Sequence, residues 1–245
     1  LVDRGVQEPR ALPVVLPFMG PRSRRRPVAV ATLALVLGLR LGLPRGALAD
    51  LVLAALAATA LPPGADPETV ARAIAGRARS GRLCQTDARV VLTLWGLGAS
   101  ADRTSGRHPH LYARIVSLVD EADGMLRADG PDRLLPDEAI ARLQAHAARR
   151  HDSALVEALV SCVGRYPVGS TLVLDSGEVA VVCRAPATPA HVARPVVRVV
   201  VDRAGVILGG GPLVDLALPA RAQARIIATV DPTRLDIPLA EAVLG

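Results

Sequence analysis

The stretch YPVGSTLVLDSGEVAVV, residues 166–182, is where this chain changes its period. From Thr171 the apolar residues alternate as they do along a half-buried strand, and Asp175-Ser176-Gly177 supplies a tight turn between two strand-length runs. Pro167 and Gly169 mark the junction with what precedes, which is rich in Ala and Arg and patterned at the helical period of 3.6. Downstream, RPVVRVVVDRAGVIL (194–208) predicts a second hairpin turning at Asp202 to Gly205. PLVDLAL (212–218) reads as a fifth short strand, and the tail beyond it carries no clear signal.

Working back from Tyr166, Asp152 is placed to cap a helix over SALVEALVSCVG, closed by Gly164. LLPDEAIARLQAHAARR (134–150) opens with Pro136 and two acids, which suit a helix N-terminus. In LYARIVSLVDEADGML (111–126), Leu111, Ile115, Leu118 and Ala122 fall on one helical face. TDARVVLTLWGLG ends at Gly96 and Gly98, and ADPETVARAIAGRARSG starts with Asp66 as N-cap and Pro67 in the first turn. Two apolar helices are expected over 27–43 and 47–61, the second stopped by Pro62-Pro63-Gly64. The reading is mainly α, a helical body followed by a small antiparallel β subdomain, α+β overall. Residues 1–26 form a leader or linker, 27–165 the helical domain and 166–245 the β-rich subdomain. A start at Leu1 rather than Met is what a piece of a longer protein would show.

Composition narrows the function classes. Apolar residues make up 51% and aromatics 2%, so the core must be built from Leu, Val and Ala. The net charge of +6 suggests a nucleic-acid binder, yet all 29 basic residues are Arg and no aromatic platform accompanies them. An Arg excess spread over the whole chain reads as coding bias. Cys84, Cys162 and Cys183 are odd in number and without metal-type spacing, which points to a reducing cytoplasm.

RSRRRPVAVATLALVLGLRLGLPRGALAD imitates a secretion signal, with basic residues, an apolar run from Pro27 to Leu39 and a small-residue Ala47-Leu48-Ala49. Arg40 and Arg45 interrupt that pattern, and the run falls short of the ~20 residues that span a bilayer. A buried helix is the expectation, with no membrane span.

The order of these pieces resembles the bacterial HD-GYP family, a branch of the metal-dependent HD phosphohydrolases. Residues 111–126 are similar to the helix that in the family ends in an Ala-Asp-x-Tyr-Asp-Ala-Leu-like run. Residues 134–164 resemble the two helices that follow, and YPVGSTLVLDSGEVAVV looks like the β extension of some members. The apolar pattern of RRPVAVATLALVLGLRLGLPRGALADLVLAALAATALPP is similar to the family's two opening helices, so the resemblance covers about residues 24–235. It implies an HD-type helical bundle and a two- or three-metal centre of His and Asp hydrolysing cyclic di-GMP.

Carried over residue by residue, that centre is largely missing. The first ligand His falls at Arg26, the His-Asp pair at Ala58-Thr59, and the following Gly-Lys at Leu61-Pro62. The later His-His-Glu falls within WGLGASAD (95–102), and SGRHP stands where Gly-Tyr-Pro would. Asp120 alone matches a ligand, as a vestige. His108 and His110 could join Asp120 in a thin Fe or Mn site, or be ordinary loop histidines. His151-Asp152 is a literal His-Asp, but Asp152 is better placed as a cap. Asp120 and Asp123, three apart, could share a face, read as a solvated or Arg-paired acidic face. Gly209–Pro212 (GGGP) lacks the features of a phosphate loop, and Cys162 reads as a structural thiol.

The expectation is therefore a pseudoenzyme of the HD-GYP type, a regulatory or structural module in cytoplasmic bacterial signalling, needing no cofactor and acting through protein partners. Cyclic di-GMP is carried as a candidate ligand. The alternatives are an active phosphodiesterase centred on Asp120, His108 and His110, and an interaction module working through an open strand edge of the β subdomain.

Overall fold

The computed structural model describes residues 22–60, 69, 72, 75–76, 89–90, 92–97, 109–126, 134–186, 188–219, 224–231 and 239–244. The expected stops and caps at Pro62-Pro63-Gly64 and Asp66 lie outside these residues, as do Cys84, Leu61-Pro62, His108 and most of WGLGASAD and SGRHP.

Helices and a five-stranded antiparallel sheet make up the described chain, so α+β is observed. The helical part contains α1 (Arg22–Arg40), α2 (Arg45–Ala58), α3 (Leu111–Leu126), α4 (Pro136–Arg150) and α5 (Ser153–Val163). Residues 92–97 are also helical. Helix α1 starts before Pro27 rather than at it, and α2 ends at Ala58, with Thr59 as its C-cap.

The run that imitates a secretion signal is the centre of the core. Ala29, Val30, Ala31, Leu33, Ala34, Leu35 and Leu37 are all buried, so α1 is apolar almost all round, as a central helix must be. It packs against α2, α3 and α5. Leu48, in the middle of the cleavage-site mimic, is buried against it in the same cluster. Among the described residues no helix is long and apolar enough to cross a membrane.

The cap on α5 forms as the sequence requires: Asp152 Oδ1 accepts from Ala154 N–H at 2.9 Å, and the helix closes at Gly164 with φ of +80°. The chain then turns. Ser170 N–H donates to Pro167 O at 3.0 Å, and Gly169, with φ of +88°, donates to Val182 O at 2.9 Å. That turn leads into β1 (Thr171–Leu174) and β2 (Val179–Arg184), followed by β3 (Val196–Val201), β4 (Leu213–Asp215) and β5 (Ile226–Val230). The spatial order is β4-β3-β2-β1-β5.

In register, Leu172 lies opposite Ala180, Ala180 opposite Val199, and Val182 opposite Val197, which lies opposite Val214. These residues share one buried cluster with Tyr166, Val168 and Leu216. A short terminal helix, α6 (Leu239–Leu244), packs on β2 and β3, where Cys183 Sγ and Arg198 Nε both donate to Ala242 O.

The second arm of the 194–208 hairpin forms only the single bridge Val201–Ile207, so PLVDLAL supplies the fourth strand in sequence and not the fifth. The GGGP segment is the bend that lets the chain cross from the Val201–Ile207 bridge to β4. A Cβ on Gly211 would lie 1.8 Å from Val199 O, so only glycine fits there. The fifth strand in sequence is Ile226–Val230, in the tail that carried no clear signal, and it sits at the sheet edge beside β1.

Candidate functional site

Arg26, Asp120 and the backbone of Thr59 come together. Arg26 projects from the first turns of α1, Asp120 from the second half of α3, and Thr59 follows the last residue of α2. Arg26 Nε donates to Asp120 Oδ1 at 2.8 Å and Nη2 to Oδ2 at 2.9 Å, a two-pronged fork. Arg26 Nη1 points to Thr59 O at 3.4 Å. The side chains of Arg26 and Asp120 are 13% and 27% exposed, so the pair is largely withdrawn from water. Asp123, one turn further along α3, is fully buried and close enough to add its charge to the field on Arg26.

The Arg26 pKa is raised, first by the hydrogen bond to Asp120 and, against the cost of burial, by the charges of Asp120 and Asp123. A guanidinium held this way is neither acid nor base under ordinary conditions; it is a fixed positive charge.

These residues do not fit a divalent metal. Both oxygens of Asp120 are taken by the fork, and a cation placed against them would face the guanidinium's own charge. Thr59 Oγ1 donates to Leu56 O at 2.7 Å, and its neighbour Ala58 offers only a methyl group. No group of three His, Cys, Asp or Glu side chains suited to a metal occurs among the described residues.

His110 does not join Asp120. It precedes α3, and at ~1.5 Å rise per residue Asp120 lies about 14 Å further along the helix. His110 is exposed, its Nδ1 accepts from Tyr112 N–H at 3.3 Å, and its ring meets Tyr112 edge-on at 4.9 Å. His108, its companion in the alternative site, lies outside the described residues. His151 is turned away from Asp152: its Nε2 pairs with Glu121 Oε2 at 2.8 Å, while Asp152 caps α5 and forms an ion pair with Arg114.

A second polar cluster escaped the sequence reading. Arg89 forms an ion pair with Asp50, a buried carboxylate on α2. The Tyr112 hydroxyl lies within reach of both charges, and its pKa is raised, mainly by burial, with Asp50 adding and Arg89 opposing. The signal for this cluster was an Asp in an otherwise apolar helix, ADLVLAALAA (49–58), which requires a partner once buried.

Neither described thiol is an activated nucleophile. Burial pushes Cys162 and Cys183 upward, with the nearby Ser161, Arg40 and Arg198 only partly opposing it. What the helical centre can do chemically is hold shape: a charge-neutral tie joins the start of α1, the end of α2 and α3.

Compared with known proteins, the chain matches no family model, no curated sequence and no solved structure.

Proposed function

We propose that this chain is a catalytically degenerate HD-GYP-like module that serves bacterial cytoplasmic signalling as a non-enzymatic regulatory or structural part. The observation that carries the reading is the Arg26 fork on Asp120. The resemblance assigns ligand positions to residues 26, 58–59 and 120, far apart in sequence, and the Arg26 guanidinium reaches both Asp120 and the backbone oxygen of Thr59. An Arg at the first position supplies the positive charge that a metal centre would otherwise bring to the surviving carboxylate. That exchange removes the hydroxide-generating cation and keeps the electrostatic balance of the interior. The function left to such a module is contact with protein partners.

The test is metal content after purification with manganese or iron supplied, together with cyclic di-GMP hydrolysis and binding. The reading expects no stoichiometric metal and no hydrolysis. Two or more tightly held metals per chain, or hydrolysis that disappears with Asp120→Ala, would overturn it. Cyclic di-GMP binding without turnover would add a ligand to the regulatory reading.

A further inference from the structure

The helix that lies on β2 and β3 is too short to hold itself. Helix α6 has six residues, and isolated helices shorter than ~12 residues are marginal in water, so its form depends on what it packs against. That support is narrow. Ala242 and Val243 are the side chains it buries among the described residues, whereas Glu241 is exposed. The sheet, by contrast, draws on an apolar cluster in which Leu172, Val182, Val197, Val214 and Leu216 are all buried.

Two side chains of the sheet fasten α6 by one carbonyl. Ala242 O accepts from Arg198 Nε at 2.9 Å and from Cys183 Sγ at 3.3 Å. Cys183 reaches it from an irregularity in the ladder: the β2–β3 register shifts between Val182 and Arg184, and a bulge re-aims the side chain it carries. Arg198 also donates from Nη1 to Gly211 O at 3.3 Å, so the same guanidinium ties α6 to the bend before β4. A thiol is a weak donor, which leaves Arg198 as the firm tie. The sheet also carries a buried polar cost on this side. Thr171, Val181 and Arg198 lie in one row across β1, β2 and β3, and Thr171 Oγ1 is buried without a hydrogen-bond partner. Water admitted to that row would satisfy it.

We propose that α6 is a strap that lifts from β2 and β3 as a unit while the sheet stays folded, baring Cys183 and Arg198. Segments held by few buried contacts and few hydrogen bonds open separately from the structure they rest on. Helix α6 is such a segment, fastened through the Ala242 carbonyl and the small side chains of Ala242 and Val243. The position of the strap then decides whether this face of the sheet is reached from solution. Cys183 reports it, being 5% exposed with the strap closed. Burial also raises the Cys183 pKa, against the nearby Arg198, so the closed form keeps it as the unreactive thiol. This proposal stands apart from the Arg26 centre, and its outcome leaves the reading of that centre unchanged.

Thiol labelling of the full chain with iodoacetamide, at fixed pH over a series of urea concentrations, tests it. Cleavage after Arg places Cys84, Cys162 and Cys183 on separate peptides for mass spectrometry. The expected result is that Cys183 labels at least about tenfold faster in buffer than global unfolding allows, with little urea dependence below the unfolding transition, because a lifted strap exposes little surface. Arg198→Met and Val243→Ser should each speed that labelling about tenfold. Val214→Ala, in β4, should lower the urea midpoint and leave the labelling rate in buffer within about twofold. Labelling that follows global unfolding from the first urea added overturns the proposal. So does a Val214→Ala chain that labels faster in proportion to its lost stability, since Cys183 would then be reached only by unfolding the sheet. Strap variants that fold, by circular dichroism, and label no faster than the parent also overturn it; if Arg198→Met misfolds, Val243→Ser and Val214→Ala decide.

Discussion

Replacing Arg26 by Met removes the fork at the centre of the helical body while keeping much of the side chain's length. Two charge-assisted bonds of 2.8 and 2.9 Å are lost, each worth about 1.5–3 kcal/mol to a charged partner. The 3.4 Å approach to Thr59 O adds little. Two structural facts reduce the sum. Asp120 is 27% exposed and can recover water, and the desolvation of Arg26 itself is relieved. Against that, Asp123 is fully buried and loses a neighbouring positive charge. The expected cost is about 2–4 kcal/mol, below the range for breaking a fully buried pair. Urea unfolding followed by circular dichroism reads it directly. Asp120→Leu alone should cost a similar amount, because it strands a largely buried cation. The Arg26→Met/Asp120→Leu double variant should cost about 2 kcal/mol less than the sum of the singles. Because the Arg26 pKa is raised, the guanidinium's contribution is in place at neutral pH and is lost only in strong alkali, so the coupling should be flat across neutral pH. A cost below about 1 kcal/mol, or strict additivity of the two changes, would refute the structural tie.

Three further outcomes follow from other parts of the chain. Gly211→Ala places a methyl 1.8 Å from Val199 O; backbone must move, and a loss of about 3 kcal/mol or more is expected in thermal or urea unfolding. Asp152→Ala removes the α5 cap and the partner of Arg114, which should lower stability by about 1–2 kcal/mol in the same assay. Cys183 is raised above its ordinary value of 9.0, chiefly by burial, so the folded chain keeps that proton to higher pH than the unfolded one. Its contribution is complete below that value and is lost as pH rises above it; Cys183→Ala should flatten the alkaline fall in stability.

The first hairpin was legible because its signals are local. Asp175-Ser176-Gly177 dictates a turn whose Gly177 adopts φ of +85°, and the flanking residues alternate. The cap at Asp152 and the stop at Gly164 were legible for the same reason. Strand β5 was not, since Ile226-Ile227 breaks the alternation and no Gly or Pro stands immediately before Ala224-Arg225. Its extended form comes from pairing with β1 and so belongs to tertiary structure, which overrides weak local preference. At the helical centre the sequence offered Asp120 as a candidate acid on α3. What it could not show was that residues 94 apart meet.

Charge balance is the signal that would have closed that gap. An Arg excess without Lys reads as coding bias, yet it does not follow that every Arg is interchangeable surface. Asp120 and Asp50 lie in helices that bury their apolar faces, and each is met by a guanidinium, from Arg26 and Arg89. At Arg26 the planar fork engages both carboxylate oxygens, which a lysine ammonium, as a compact point charge, does less well. A buried carboxylate in a chain with 29 Arg, five His and no Lys is answered almost always by a guanidinium. Each of these two acids is met by a guanidinium from a distant part of the chain, and that pairing is what lets it sit in an apolar helix.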